Sequence, residues 1–401
     1  MSERITTMMK PSRILALASG VVVAAIMAGA LFAFGFITNT NSTITDVVDD
    51  VLDQREKEIH ANEEVSFGRD SEINILLLGL DARKDWENPH CDAIHLFTLD
   101  VEQWDLQITS VPRGTYAYIP GSWLSTDYYV SNACGIMGLD YGISQIETIL
   151  GVKTDYYVTV NFSQVLGIVR LFDLPTTETL QWLRHRQGYA IGDPQRSHNQ
   201  AVFMKDMIID YLDRFRSDFS APMTYVLYNL VDTDMDYSTA KTLLHGILDA
   251  EIDARPNDIV LEMRPEYETV DYHFDVNNPS AQLDKYYTYL DRVLPDNVFT
   301  GRSLEEVQAE LIAYLSERLM SGESLADIIS SQIWLQVEDD TTREELHYQI
   351  IEGYVYTLVE LSERQAAVDL LSDYILEKQA LGLEEWEEQG RGLLQYITSI
   401  E

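Results

Sequence analysis

The chain has 401 residues, 46% of them hydrophobic and 23% charged, which gives room for two or three domains and a sizeable core. That composition excludes a small stapled scaffold and a wholly disordered chain. With 66 Asp and Glu against 28 Lys and Arg, the net charge is −38. Such a field repels nucleic acid and anionic lipid except at local basic islands, so no nucleic-acid partner is expected.

Residues Ile14–Ile37 form an uncharged apolar run of 24 residues, long enough to span a bilayer. Arg4, Lys10 and Arg13 precede it, and Asp46, Asp49, Asp50 and Asp53 follow. The positive-inside bias therefore predicts a cytoplasmic segment (1–13), a transmembrane helix (14–37) and an extracytoplasmic remainder at the cell membrane. The alternative is a signal peptide cleaved near Ala28-Gly29-Ala30, but the apolar run continues past that point. Residues 38–71 are polar and acidic, with Ile44, Val47, Val48, Val51 and Leu52 at helical spacing, and read as a stalk.

From Glu72 strand and helix patterns alternate. The continuous apolar run Ile73–Leu80 predicts a strand buried on both faces. Asp92–Asp100, Leu106–Pro112 and Tyr156–Phe162 read as further strands. Ile143–Leu150, Thr177–Arg186, Asn199–Phe215 and Ser238–Leu248 read as helices, and Thr224–Leu230 fits either state. The fold class expected for residues 72–295 is α/β, a central mixed sheet flanked by helices, with ligands held where strands end.

Residues 300–401 carry 22 acidic against 6 basic residues and no catalytic spacing. Helices are expected from Ser303 to Leu319, Ser324 to Leu335, Thr341 to Leu381 with a break near Gly353 or Ser362, and Leu383 to Ile400. This all-helical extension suits a docking surface for a protein partner.

Several side chains could carry chemistry. Asp81 ends one strand and Asp92 opens the next, so two carboxylates can meet at one sheet edge and hold a hydrated Mg²⁺; a helix cap and a turn acid are the simpler alternative. Arg113 lies just past the third strand, as a ligand or a surface ion pair. Arg184, His185, Arg186, Arg196 and His198 form a basic island before a helix start, where forked guanidinium groups and free N–H groups suit phosphate oxygens; salt bridges to nearby acids would also account for it. Cys91 and Cys134 make neither a zinc site nor a disulfide framework, and leave open one bridge or two buried thiols.

The series Asn74-Ile75-Leu76-Leu77-Leu78-Gly79-Leu80-Asp81-Ala82-Arg83, Cys91-Asp92, Val111-Pro112-Arg113-Gly114-Thr115, Ser131-Asn132-Ala133, Asp155–Val158 with Val160-Asn161-Phe162, Leu183–Arg186, Gly192–Arg196, Gln200 with Phe203, and Thr233-Asp234 runs in one order over about 180 residues. It resembles the motif series of the LytR-CpsA-Psr family of cell-wall glycopolymer ligases. The resemblance implies transfer of a glycopolymer from an isoprenoid-pyrophosphate carrier to a peptidoglycan hydroxyl, with Mg²⁺. It implies Asp81 and Asp92 as metal ligands, and Asp81, Asp92 and Arg113 as catalytic residues. Arg83, Arg113, Arg184, Arg186, Arg196 and Gln200 would grip the pyrophosphate, and the lipid tail would lie in an apolar tunnel. Gly114, His90 and Asn199 stand where the family has Asp, Arg and Arg. A non-catalytic lipid-pyrophosphate-binding or scaffolding relative, or a lipid-pyrophosphate pyrophosphatase, are the other functions in view.

Overall fold

The computed structural model describes residues 45–60, 72–81, 88–185, 192–217, 221–279 and 304–399. The expected membrane span at 14–37 and the basic residues before it lie outside the described residues. Among the described residues no helix is long and apolar enough to cross a membrane.

Six strands form one mixed sheet: β1 (Glu72–Asp81), β2 (His90–Asp100), β3 (Leu106–Ser110), β4 (Tyr156–Asn161), β5 (Asp232–Thr233) and β6 (Ile259–Met263), in the order β5-β4-β1-β2-β3-β6. β1 pairs antiparallel with β2 and parallel with β4, while β3 pairs antiparallel with β2 and parallel with β6. The C-terminal ends of β1, β3, β4 and β6 and the start of β2 therefore share one edge.

β1 is buried on both faces, as its unbroken apolar run predicts. Leu76 and Leu78 pack on one side with Ile94, Leu96, Val130 and Ile146. That layer belongs to α2 (Val130–Met137) and α3 (Leu139–Leu150). Ile73 and Ile75 pack on the other side with Leu99, Ile108, Ala201 and Leu243, beneath α6 (Asp193–Tyr211) and α8 (Tyr237–Asp249). A Cys91–Cys134 disulfide ties β2 to α2, resolving the two open readings of the cysteines in favour of a bridge.

α4 (Phe162–Leu171) follows β4 without a loop. Asn161 makes the switch: its side chain accepts from the Gln164 amide at 3.0 Å, and the Gln164 side chain accepts from the Asn161 amide at 2.8 Å. This reciprocal cap satisfies two of the helix's free donors. α5 (Thr176–Arg184) and α7 (Ala221–Asn229) complete the layer, so the ambiguous 224–230 stretch is helical.

The C-terminal part is helical, as expected: α9 (Leu304–Ser321), α10 (Ala326–Ser331), α11 (Asp340–Glu360), α12 (Arg364–Ala380) and α13 (Glu384–Ser399). The break falls at Ser362, which takes a left-handed φ of 64°, whereas Gly353 continues its helix. The helix expected over 324–335 is shorter. Gln332 turns the chain at φ 49° into a 3-10 segment, Ile333–Gln336, which lays Trp334 flat on His347 at 4.4 Å.

Thr45–His60, within the stretch read as a stalk, forms α1. It is not a free spacer. Val48 and Leu52 are buried among Val355, Leu371 and Leu394 of the helical part, and Arg55 bonds Asp373 at 3.0 and 3.1 Å and the Tyr225 hydroxyl at 2.7 Å.

Candidate functional site

The strand ends carry the candidate residues. Asp81 closes β1 and is buried. The β1–β2 register pairs Gly79 with Ala93, Leu80 with Cys91 and Asp81 with His90, leaving Asp92 as the extra residue of a bulge. A bulge re-aims its residue out of the regular alternation, and here it releases Asp92 from the ladder beside the end of β1.

Arg113 comes from the turn after β3, closed by a Thr115 N–H to Pro112 carbonyl bond of 2.9 Å. Its Nη1 lies 2.7 Å from both carboxylate oxygens of Asp92. Arg196, in the first turn of α6, is 5% exposed. Its Nη2 donates to the Asp92 carbonyl at 2.9 Å and lies 2.7 Å from an Asp193 carboxylate oxygen. That same oxygen is 3.7 Å from Arg113 Nε. Two guanidinium groups and two carboxylates, from β2, the β3 turn and the α6 N-terminus, thus form one cluster at the strand-end edge. α6 starts six residues earlier than the 199–215 pattern predicts, because Gly192, at φ 57°, turns the chain and Pro194 fits the first turn of the helix.

Arg184 ends α5, and its guanidinium stacks over the Phe162 ring at 4.4 Å. Leu80 pairs with Asn161 in the β1–β4 ladder, so Phe162 and Asp81 are the next residues along the two chains at one edge. Arg184 therefore stands on the Asp81 side of this edge. Arg83 and Arg186 lie outside the described residues.

Gln200 is in a different setting. Its amide nitrogen donates to the Leu183 carbonyl at 2.9 Å, and its oxygen is 3.2 Å from His95 Nε2. His95 Nδ1 is 3.0 Å from Ser110 Oγ, which in turn lies 3.4 Å from the Ser197 carbonyl. This line, buried at His95 and Ser110, ties α5, α6, β2 and β3 together. Burial pushes the His95 imidazole down to about 4, with the Arg196 charge acting in the same direction against the Gln200 bond, so it stays neutral. Sequence reasoning did not single out His95, Ser110 or the carboxylate of Asp193. A histidine between Ile94 and Leu96 in an apolar strand is the signal that could have marked the first.

The three departures have plain settings. A side chain at Gly114 would meet no atom within 4 Å. His90 lies against Gly135, where a Cβ would come within 2.4 Å of its ring. Asn199 is buried and accepts from Gln195 Nε2 at 2.8 Å.

For a hard divalent ion the donor types fit: two carboxylates at one edge, with water and phosphate oxygens to complete the shell. Asp92 would be shared with Arg113. Among the described residues no group of three or more His, Cys, Asp or Glu gathers in a way that could hold a metal ion.

A model of the LytR_cpsA_psr family matches residues 34–170. That segment belongs to the LytR_cpsA_psr family. It takes in β1 to β4, both aspartates and Arg113. The polyisoprenyl-teichoic acid–peptidoglycan teichoic acid transferase TagU of Bacillus cereus is 26% identical over 205 residues, 51% of this chain and 65% of that protein. TagU of Bacillus mycoides is 24% identical over 184 residues, 46% of this chain and 59% of that protein. The chain thus spans less than two thirds of the length of these relatives. Among solved structures, Bacillus subtilis TagV aligns with a TM-score of 0.40 and 18% identity, over 55% of this chain and 98% of that one. TagT bound to LIIa-WTA aligns with a TM-score of 0.37 and 18% identity, over 59% of this chain and 95% of that one.

Proposed function

We propose that this chain is a membrane-anchored phosphotransferase. It moves a glycopolymer from an isoprenoid-diphosphate carrier to a hydroxyl of peptidoglycan. The observation that carries the reading is the meeting of Arg113, Arg196 and Asp92 at the edge where β1, β3 and β4 end. The names of the relatives support the substrate class. The apolar run 14–37 supports the anchor, and the Cys91–Cys134 bridge supports an oxidising compartment for the folded part.

In phosphoryl transfer the protein mainly positions groups and offsets charge. The acceptor hydroxyl oxygen attacks the sugar-linked phosphorus, the bond from that phosphorus to the bridging oxygen breaks, and the isoprenyl monophosphate leaves. The proton of the hydroxyl passes to a carboxylate at the edge. Arg113 and Arg196 exchange carboxylate oxygens for phosphate oxygens, and Arg184 approaches from the α5 side; Arg83 and Arg186 are the further phosphate ligands that the motif series implies. Gln200 acts indirectly, by holding α5 against α6. Mg²⁺ on Asp81 and Asp92 would neutralise charge on the diphosphate.

The test uses the full chain in lipid, a teichoic acid on an isoprenoid diphosphate, peptidoglycan and Mg²⁺. Transfer should fall about 10²–10³-fold in Arg113→Ala, the usual cost of removing a group that stabilises developing charge. Binding without turnover in the unaltered chain would point to a non-catalytic relative. Release of the glycan phosphate without acceptor would point to a pyrophosphatase.

A further inference from the structure

The segment after Arg113 has an unusual surface. Tyr116, Tyr118, Trp123 and Leu124 are 67%, 58%, 92% and 65% exposed, and Tyr129 is also exposed. They belong to one unit. Tyr116 pairs with Tyr129 in an antiparallel bridge, and the Ala117 amide donates to the Tyr128 carbonyl at 2.9 Å. Ala117, Ile119 and Val130 are buried, so side chains alternate inward and outward and the aromatic ones are held outward. The tip is braced as well: the Trp123 and Leu124 amides both point at the Asp127 carboxylate, at 3.3 and 3.0 Å.

An exposed apolar cluster on a rigid support marks an interaction surface. Its chemistry narrows the partner. There is no Lys or Arg between Arg113 and Lys153, and Asp127 is the sole acid between Gly114 and Met137. On a chain of net charge −38, that is a nearly uncharged window. Trp and Tyr, each with an apolar body and one polar tip, collect at the level of lipid headgroups, and an adjacent Leu adds apolar reach. The window also adjoins the strand-end edge: the Ser131 amide donates to the Arg113 carbonyl at 3.2 Å.

We propose that the 116–129 loop is a bilayer contact, with Trp123 and Leu124 seated at the boundary of headgroups and acyl chains. Seated so, it turns the Arg113 edge toward the lipid surface. The inference needs only a bilayer; it stands or falls apart from the transfer reaction.

The test is tryptophan quenching in the full chain reconstituted in phosphatidylcholine vesicles with acyl chains brominated near the headgroup. A quenched component should appear that is lost in Trp123→Phe and reduced at least twofold in Leu124→Asp. Because both side chains are solvent-exposed, neither change should unfold the protein, and circular dichroism checks that. Unchanged quenching in Trp123→Phe would overturn the proposal. So would a Trp123 signal that ignores lipid but responds to soluble peptidoglycan fragments, which would make the loop a saccharide platform.

Discussion

Arg113 and Arg196 hold the same aspartate in different ways, and the difference predicts different mutants. Arg113 is about a quarter exposed and bonds the Asp92 carboxylate; an ion pair that solvent still reaches adds modest stability, so Arg113→Ala should lower transfer far more than it lowers the melting temperature. Arg113→Lys should restore only part of the activity, because an ammonium lacks the planar fork. Gly114, with open space around it, should accept Asp with a stability change within about 0.5 kcal/mol, checked by urea unfolding. Gln200 is the reverse case. Gln200→Ala would strand the partly buried Leu183 carbonyl and the buried His95 ring nitrogen, and cost about 1–3 kcal/mol. The motif series named Arg113, Arg196 and Asp92, and those three meet at one edge. It could not reveal that Gln200 serves His95, because the bond partners lie on four different elements.

His95 and His347 make a pH prediction. Burial holds His95 down to about 4 and His347 well below its ordinary value, the latter aided by Lys378 and Arg343. Unfolded, each imidazole takes a proton near pH 6.5, so the unfolded state binds more protons below that pH. Their contribution is intact above pH 6.5 and is lost as pH falls, by about 1.4 kcal/mol per pH unit for each; for His95 the loss levels off near pH 4. Urea midpoints at pH 7.5 and 5.5 should differ, and His95→Gln should narrow the gap. A gap unaltered by that change would remove His95 from the account.

At the scale of elements, α1 and the disulfide bind distant segments. Leu52 of α1 is buried in the core of the helical part, so Leu52→Ala should destabilise that part by about 2–5 kcal/mol, read by chemical denaturation. Reducing Cys91–Cys134, which closes a 43-residue separation, should cost about 2–5 kcal/mol and lower the melting temperature. β1 was legible because a strand buried on both faces has an unbroken apolar run. Helical spacing in 44–52 was legible too, but not its partner: amphipathicity fixes which face is buried, not against what. β6 and α4 lacked a distinct signal. β6 is five residues long, and α4 begins directly after the last residue of β4 with no turn between them.

Across the whole molecule the acidic helical part is joined to the α/β part by specific polar contacts. Both Arg170 Nη groups donate to the Leu335 carbonyl at 3.2 Å, and the Thr176 and Thr177 hydroxyls donate to Glu338 at 3.0 and 2.7 Å. Arg170 is substantially buried, and burial lowers its pKa, so losing its partner contacts should loosen the join. Arg170→Ala should split a single calorimetric transition into two. The sequence marked the change of texture near residue 300 but held no sign of this contact, which depends on α4 and on the 3-10 turn at 333–336.

The central claim is that the strand-end arginines grip a diphosphate. The direct measurement is calorimetric titration of the full chain with a short isoprenyl diphosphate in Mg²⁺, comparing Arg113→Ala with Arg318→Ala, whose guanidinium pairs with Asp327 in the helical part. A fork-shaped contact from guanidinium to phosphate is a strong, charge-assisted one, so Arg113→Ala should bind at least tenfold more weakly while Arg318→Ala binds like the unaltered chain. Equal affinity in all three proteins would contradict the account.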